Sequence, residues 1–299
     1  MPQCELVGVV DTDIRSAERV AKAWNCPAFS DFRDLFGAID AASIVVPTKY
    51  HHAIAREMLP RGIHLLLEKP ITSTVAQAHE LIDLARASGA VLQVGHIEHF
   101  NAAIARMKQL VNEPAFIEGH RLGPYDPRVK DVGVVLDLMI HDLDIVLQMV
   151  DSPVASVDAS GVGVFGDMED IANARIQFEN GCVANLTASR ITPNRKRKIR
   201  VFQRNSYLSI NYIDQEVEIY RRVRVPNPAP GQPGIAIVRS KERFQKQEPL
   251  KLELEHFIDC VAKGREPMVR GEHGRDALEL AVEISERLKV RLSHWKKKW

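Results

Sequence analysis

Gly62-Ile63-His64-Leu65-Leu66-Leu67-Glu68-Lys69-Pro70 joins an apolar run to a charged pair and an imino acid. A run of this kind reads as a strand covered on both faces, as in a parallel sheet. Pro70 has no backbone N–H and cannot continue a central strand, so Glu68 and Lys69 fall at its carboxyl end. Open α/β sheets bind their ligands at that edge. An ordinary ion pair at the start of a loop is the competing reading, and the flanking sequence decides between the two.

Upstream, residues 5–11 read as a strand ending in Asp11, followed by a helix over 15–24 with Thr12 or Asp13 as its N-cap. Residues 31–37 suggest a short helix and 41–47 a strand ending at Pro47, after which Thr48 and His51 open a helix reaching to about residue 61. Downstream come a helix over 75–88 and a strand over 91–94 that ends at Gly95. Short apolar strands alternating with helices give βαβ units and a Rossmann-like, doubly wound parallel sheet. Ligands then belong at the Asp11, Pro47, Glu68 and Gly95 ends. In dinucleotide-binding folds an acid after the second strand accepts hydrogen bonds from the ribose hydroxyls and disfavours the extra phosphate of NADP. Asp11 fits that use, against the plainer one of capping a turn.

The G-x-G-x-x-G turn that brings backbone N–H groups to a pyrophosphate is absent. The chain opens on what reads as the second strand of the 3-2-1-4-5-6 order, whose first strand is central. The expectation is that roughly 20 to 30 residues of strand, turn and helix precede residue 1 in the natural protein. Without them, dinucleotide binding should be weak.

The second half reads as α+β. A helix over 102–111 and a strand over 115–122 lead to a turn at Tyr125-Asp126-Pro127 and a helix over 134–150. Asp137 and His141, four apart, share one face of that helix. A helix-stabilising contact, a buried histidine and a metal site with Asp142 and Asp144 all compete. The metal reading is the weakest, because Asp142 and Asp144 point to other faces and no further ligand is placed by sequence; spacing alone favours the helix-stabilising contact. Strands follow over 154–164, 171–179, 182–190, 197–203, 207–212 and 216–222, with Asn180-Gly181 as a hairpin turn. They form an open, mostly antiparallel sheet, followed by a loop over 226–234 and helices over 250–263 and 274–293. The division expected is a dinucleotide-binding domain over 1–98 and a substrate-binding and oligomerisation domain over 99–299.

At 299 residues the chain is long enough for two cores. A net charge of +1 makes nucleic acid and acidic membranes poor partners, and no apolar run approaches the ~20 residues that span a bilayer. Cys4, Cys26, Cys182 and Cys260 have no metal-ligand spacing, and reduced thiols in a cytoplasm are the simplest reading. The basic groups Arg195-Lys196-Arg197-Lys198 and Lys296-Lys297-Lys298 read as a strand with alternate residues on opposite faces and as a solvated tail. A few of these arginines are candidates for a diphosphate.

Pro47-Thr48-x-x-His51, Glu68-Lys69-Pro70, Val94-Gly95-His96-Ile97-Glu98-His99-Phe100-Asn101 and Asp137-Leu138-Met139-Ile140-His141-Asp142 resemble, in that order, the signatures of the Gfo/Idh/MocA oxidoreductases. The resemblance implies hydride transfer between NAD, less so NADP, and a secondary alcohol of a sugar. It implies a catalytic Asp137 and His141, with His141 as base. Lys69 would hydrogen-bond the reacting oxygen and the nicotinamide ribose, with Glu68 fixing Lys69. Asp11, Pro47, Thr48, His51, Glu68, Lys69 and Gly95 would line the dinucleotide, and Asn101 and Arg121 would join Lys69, Asp137 and His141 at the substrate. A homo-oligomer, dimer or tetramer, would form through the large sheet. Residues 95–101 and 137–142, with Asp170-Ile171-Ala172-Asn173-Ala174-Arg175 and Ala188-Ser189-Arg190, look most like the branch that oxidises UDP-N-acetylglucosamine at its third ring carbon. Oxidation of a polyol or a uronic-acid nucleotide sugar, and a non-catalytic sensor of the same fold, are the alternatives. The family reads Arg-Phe-Asn where this chain has His99-Phe100-Asn101, so an always-charged fork is exchanged for a titratable ring at any phosphate or substrate contact there.

Overall fold

The opening stretch forms β4 (His64–Glu68), with Leu65, Leu66 and Leu67 buried. It is the middle strand of a parallel three-stranded sheet, between β3 (Ala41–Ile44) and β5 (Leu92–Gly95). A central strand has no polar edge or face to show, which accounts for its unbroken apolar run. These strands are described in a computed structural model covering residues 1, 3–125, 132–226 and 233–296. A second, two-stranded parallel sheet pairs β1 (Val9–Val10) with β2 (Ala28–Phe29), and among the described residues no ladder joins it to the first. The helices α1 (Ile14–Trp24), α2 (His51–Met58) and α3 (Val75–Ser88) supply the crossovers. Asp13 caps α1 by accepting the N–H of Arg15, and Thr74 caps α3 by accepting that of Gln77. The strand read over 5–11 shrinks to Val9–Val10, the two residues in ladder register with Ala28 and Phe29. The partner itself, Ala28–Phe29, is too short to show periodicity. Residues 31–37 give a 3-10 turn, Phe32–Leu35.

The chain divides into two units, Met1–Gly95 with Glu253–Gly271, and His96–Leu252 with Glu272–Trp299. The return of 253–271 is a feature the linear division at 98/99 lacks. It is made by backbone: Val94 donates to the Val269 carbonyl at 3.0 Å, and Gln93 bridges Arg270. The helix that begins it, α6 (Pro249–Lys263), buries Glu253, Phe257 and Cys260. Periodicity identifies such a helix but does not say which sheet it covers.

The second unit is built on an eight-stranded sheet of order β13-β12-β11-β10-β6-β9-β8-β7. Its strands are β6 (Pro114–Leu122), β7 (Val154–Val162), β8 (Ile171–Phe178), β9 (Val183–Ser189), β10 (Lys196–Gln203), β11 (Ser206–Asn211), β12 (Glu216–Arg224) and β13 (Ile235–Arg243). All neighbours are antiparallel except β6 and β9. One face, with Ile117, Ala174, Leu186, Val201, Ile210 and Val217, makes a core with α4 (Ala102–Leu110), α5 (Ile140–Met149) and α7 (Gly271–Lys296). The other face carries stacked aromatics, Phe202 on Tyr207 at 4.7 Å and Tyr207 on Tyr220 at 5.1 Å, and a cleft of about 580 Å³ lined by Glu118, Asp158 and Arg175 among others. Strand β13 adds an edge beyond the strands expected up to residue 222. Its outer half is charged, and Arg239, Lys241 and Arg243 pair with Glu218 and Glu216 of β12. Alternating bases set against alternating acids were its available signal. Parts of the expected turn at 125–127, loop at 226–234 and basic tail lie outside the described residues.

Candidate active site

In the first unit the strand ends fix the candidate groups through backbone. Asp11 is exposed; its N–H reaches the Phe29 carbonyl at 3.2 Å and its Oδ1 accepts the N–H of Asp13 at 2.9 Å. Pro47 precedes a 3-10 turn, Thr48–Tyr50, whose Tyr50 N–H returns to the Pro47 carbonyl at 2.9 Å. His51 is buried, with Nε2 2.8 Å from the Val46 carbonyl oxygen and Nδ1 3.0 Å from that of Pro70. It therefore ties the end of β3 to the turn after β4 from beneath. Glu68 and Lys69 are half-buried, and the Glu68 carboxylate accepts the Lys69 backbone N–H at 3.1 Å. Gly95 lies opposite Glu68 in the ladder, and a Cβ on it would sit 3.1 Å from the Glu68 carboxyl. Glycine there leaves room for that carboxyl to lie over β5.

In the second unit Asp137 lies in a π-helical turn, Val135–Met139, that runs into α5 and His141. Such turns recur at functional sites because they widen the helix and redirect side chains. Both residues are half-buried, whereas Asp142 and Asp144 are buried. The turn is held by Glu169, whose carbonyl accepts the Val134 N–H at 3.1 Å and whose Oε1 accepts that of Val135 at 3.3 Å. Gly133 is required there, since a Cβ would fall 2.0 Å from Glu169 Oε1. Asp170 accepts the N–H groups of Val164 and Phe165 at 2.6 and 2.7 Å and Arg190 Nε at 2.6 Å. Burial would raise its pKa, but those donors win and hold it below the usual carboxylate range.

Two buried ion clusters carry α5. Arg121 is 2% exposed; its Nε and Nη2 donate to Asp142 at 2.9 Å each, and its Nη1 to Glu98 at 2.8 Å. Its guanidinium lies over the Tyr212 ring at 5.4 Å, and Asn101 donates to the Tyr212 carbonyl at 3.0 Å while capping α4. Asn101 and Arg121, read as substrate contacts, are thus interior groups here. Arg121 follows Ile117 and Gly119 on the inward phase of β6, so its partners had to be acids. In the second cluster His99 Nε2 meets Asp144, Lys108 donates to His99 Nδ1 at 2.7 Å, and Gln148 donates to Asp144 at 2.8 Å. Burial works against the Asp144 charge, yet His96, His99 and Gln148 hold its pKa down at about 2. Burial also lowers Lys108, against the pull of Asp144. The exchange of arginine for His99 therefore falls in the interior, where His99 and Lys108 serve one carboxylate. His96, Glu98, Asp142, Asp144 and Tyr212 act as buried supports that no local sequence pattern marks, Asp142 and Asp144 holding ion pairs and not a metal among the described residues. His96 stands between the second cluster and the candidate base, with Nδ1 3.7 Å from Asp144 and its ring edge-on to His141 at 6.1 Å.

A Rossmann-like unit with an acid and a Glu-Lys-Pro turn at its strand ends, and an open-sheet unit offering Asp and His from one helix, define an oxidoreductase of the Rossmann type. The family description "Oxidoreductase family, NAD-binding Rossmann fold" matches residues 1–96, and "GFO/IDH/MocA C-terminal domain" matches 75–219. The chain belongs to the Gfo/Idh/MocA oxidoreductases. It is 36% identical over 282 residues to UDP-N-acetylglucosamine 3-dehydrogenase of Acidithiobacillus ferrooxidans, covering 94% of this chain and 88% of that protein. A solved structure of that enzyme superposes with a TM-score of 0.87 at 33% identity, over 95% of this chain and 90% of the other. The scyllo-inositol 2-dehydrogenase (NAD(+)) of Bacillus subtilis is 26% identical, over 94% of this chain and 86% of that protein.

The chain's own residues fit a nicotinamide dinucleotide at two places. Asp11 keeps an exposed carboxylate fixed by one backbone N–H, as a ribose diol needs, and the Glu68–Lys69 turn is held open over Gly95. The glycine turn for a pyrophosphate is not in the sequence. Among the described residues no group of three or more His, Cys, Asp or Glu is arranged to hold a metal ion, and no helix is long and apolar enough to cross a membrane.

Proposed function

We propose that this oxidoreductase oxidises a secondary alcohol of a nucleotide sugar, UDP-N-acetylglucosamine at its third ring carbon, with NAD in preference to NADP. The observation that carries the reading is the joint presence of Lys69 after β4 and the Asp137–His141 helix in a chain 36% identical to an enzyme of that name. When bound, NAD supplies the hydride acceptor. His141 takes the hydroxyl proton on its imidazole, acting as the general base. Asp137 orients the ring or shares the proton. Lys69 places positive charge at the oxygen where negative charge develops, and Glu68 fixes Lys69. Asp11 receives the ribose hydroxyls and disfavours NADP, while Pro47, Thr48 and Gly95 line the dinucleotide from the strand ends of the three-stranded sheet, with His51 supporting them. Arg121 and Asn101 support the sugar side from within, and Arg197, half-exposed and 3.5 Å from Glu98, is the candidate for the diphosphate. The free face of the eight-stranded sheet, with its stacked aromatics, is the proposed homo-oligomer surface, whose state light scattering measures.

Mixing the protein with NAD and UDP-N-acetylglucosamine should raise absorbance in the reduced-nicotinamide band. Lys69→Met and His141→Ala should each lower turnover by about 10²- to 10⁴-fold with unchanged circular dichroism. Full activity in both would end the assignment. A ligand-binding protein without turnover is the alternative; tight binding of the sugar nucleotide with no absorbance change would select it.

A further inference from the structure

Alternation along β5 puts Gln93 and Gly95 on one face. The Glu68 carboxyl occupies the space that Gly95 leaves, and the Gln93 side chain, fully buried, donates Nε2 to the Glu253 carbonyl at 3.4 Å. Glu253, on α6, is 1% exposed. The chemistry around it is one-sided. Glu253 Oε1 and Gln93 Oε1 are buried acceptors with no hydrogen-bond donor among the described residues, and the charge acting on Glu253 is the negative one of Glu68. Of the neighbouring charged groups, Arg270 turns to Glu266, while His256 accepts the N–H of Met268. An ionised carboxyl without donors in such a place is costly; a proton removes the charge and supplies the missing donor.

We propose that Glu253 is held as a neutral carboxylic acid behind Glu68, leaving Glu68 as the one negative charge there and making Glu253 a positioning residue for the Glu68–Lys69 strand end. The protonation stands on the buried acceptors alone; its consequence for Lys69 rests on the function proposed above. Burial first, and then the Glu68 charge, push Glu253 up to about 8. Above that value a second negative charge forms beside Glu68 and competes for whatever Glu68 holds.

Infrared difference spectroscopy on the full chain tests this. At pH 7 a carboxylic-acid C=O band should be present, absent in Glu253→Gln, and lost on titration with a midpoint of about 8. Glu68→Gln should lower that midpoint by roughly one pH unit, since it removes the neighbouring charge. Turnover should fall along an alkaline limb with the same midpoint, and Glu253→Gln should lack that limb, which loss of packing alone would not achieve. No acid band assignable to Glu253 at pH 7 overturns the proposal, and a midpoint indifferent to Glu68→Gln overturns the link to Glu68. If Glu253→Gln does not fold, the wild-type titration and its response to Glu68→Gln decide. If Lys69→Met and His141→Ala retain activity, the functional reading falls while the band still reports the proton on Glu253.

Discussion

Two carboxyls, Glu253 in the first unit and Asp144 in the second, are each 1% exposed and meet opposite fates. Burial and the Glu68 charge push Glu253 up to about 8. Asp144 resists the same burial because His96, His99 and Gln148 surround it, and it is held at about 2. Depth alone does not set the charge of a buried acid; the donors that reach it do. The difference extends to how each unit holds its candidate chemistry. Glu68 and Lys69 sit at the end of a strand fixed by ladders on both edges, so few side-chain contacts are needed. Asp137 and His141 sit on a π turn and the helix after it, where no ladder fixes rotation or register. Buried ion clusters at Arg121, Asp144 and Asp170 do that work instead.

The sharpest way to break the comparison is to take the donor away from a charged acid in the second unit. Arg121→Met leaves Asp142 and Glu98 buried without their shared cation. Asp142 is then left without the guanidinium that it shares, nearer to the situation of Glu253, while Glu98 keeps Arg197 at 3.5 Å. A loss of about 3–5 kcal/mol in urea unfolding at pH 7 is expected, the usual cost of uncovering one side of a buried ion pair. Raised carboxyls bind protons more tightly when folded, so the variant should recover part of that loss as pH falls toward 5. A loss that is the same at pH 5 and pH 7 would show that packing over Tyr212, and not charge, was the contribution of Arg121.

The contrast between the units also explains what the sequence made legible. Strand ends carry their chemistry in consecutive residues, so Glu68-Lys69-Pro70 and the Asp11, Pro47 and Gly95 ends could be read from apolar runs and the residues that stop them. The fold class followed from the same runs. The supports of the second site are scattered: His99, Lys108, Asp144 and Gln148 meet across three helical segments, and no local pattern unites them. Arg121 was noticed for its charge, but only its phase on β6 distinguishes an inward arginine from an exposed one. Glu253 is one of several acids on an amphipathic helix. Its isolation depends on Gln93 and Glu68, which are more than 150 residues away in the chain. Charged β13 escaped because strand reading weighs apolar alternation more than matched charges.

A smaller effect sharpens the contrast between Glu253 and Asp144 themselves. Asp144 is depressed from its ordinary 3.8 to about 2, so the stability it contributes is present above pH 4 and is lost as pH falls through about 2. A shift of that size corresponds to about 2 kcal/mol at neutral pH. Asp144→Asn keeps the shape and removes the charge, leaving His99 and Lys108 without their anion. Thermal or urea unfolding should therefore show the variant less stable by about 2 kcal/mol from pH 5 to 7. The gap should close between pH 4 and 2, where the wild-type carboxyl takes up its proton. Glu253 must show the opposite sign: its folded-state pKa is raised from 4.5 to about 8, so its contribution is full below 4.5 and is lost as pH rises through about 8. Glu253→Gln should accordingly flatten the alkaline side of the stability curve and Asp144→Asn the acid side. If either variant changed stability by a constant amount at every pH, that acid would be acting through packing, and donor supply would no longer account for the difference between the two units.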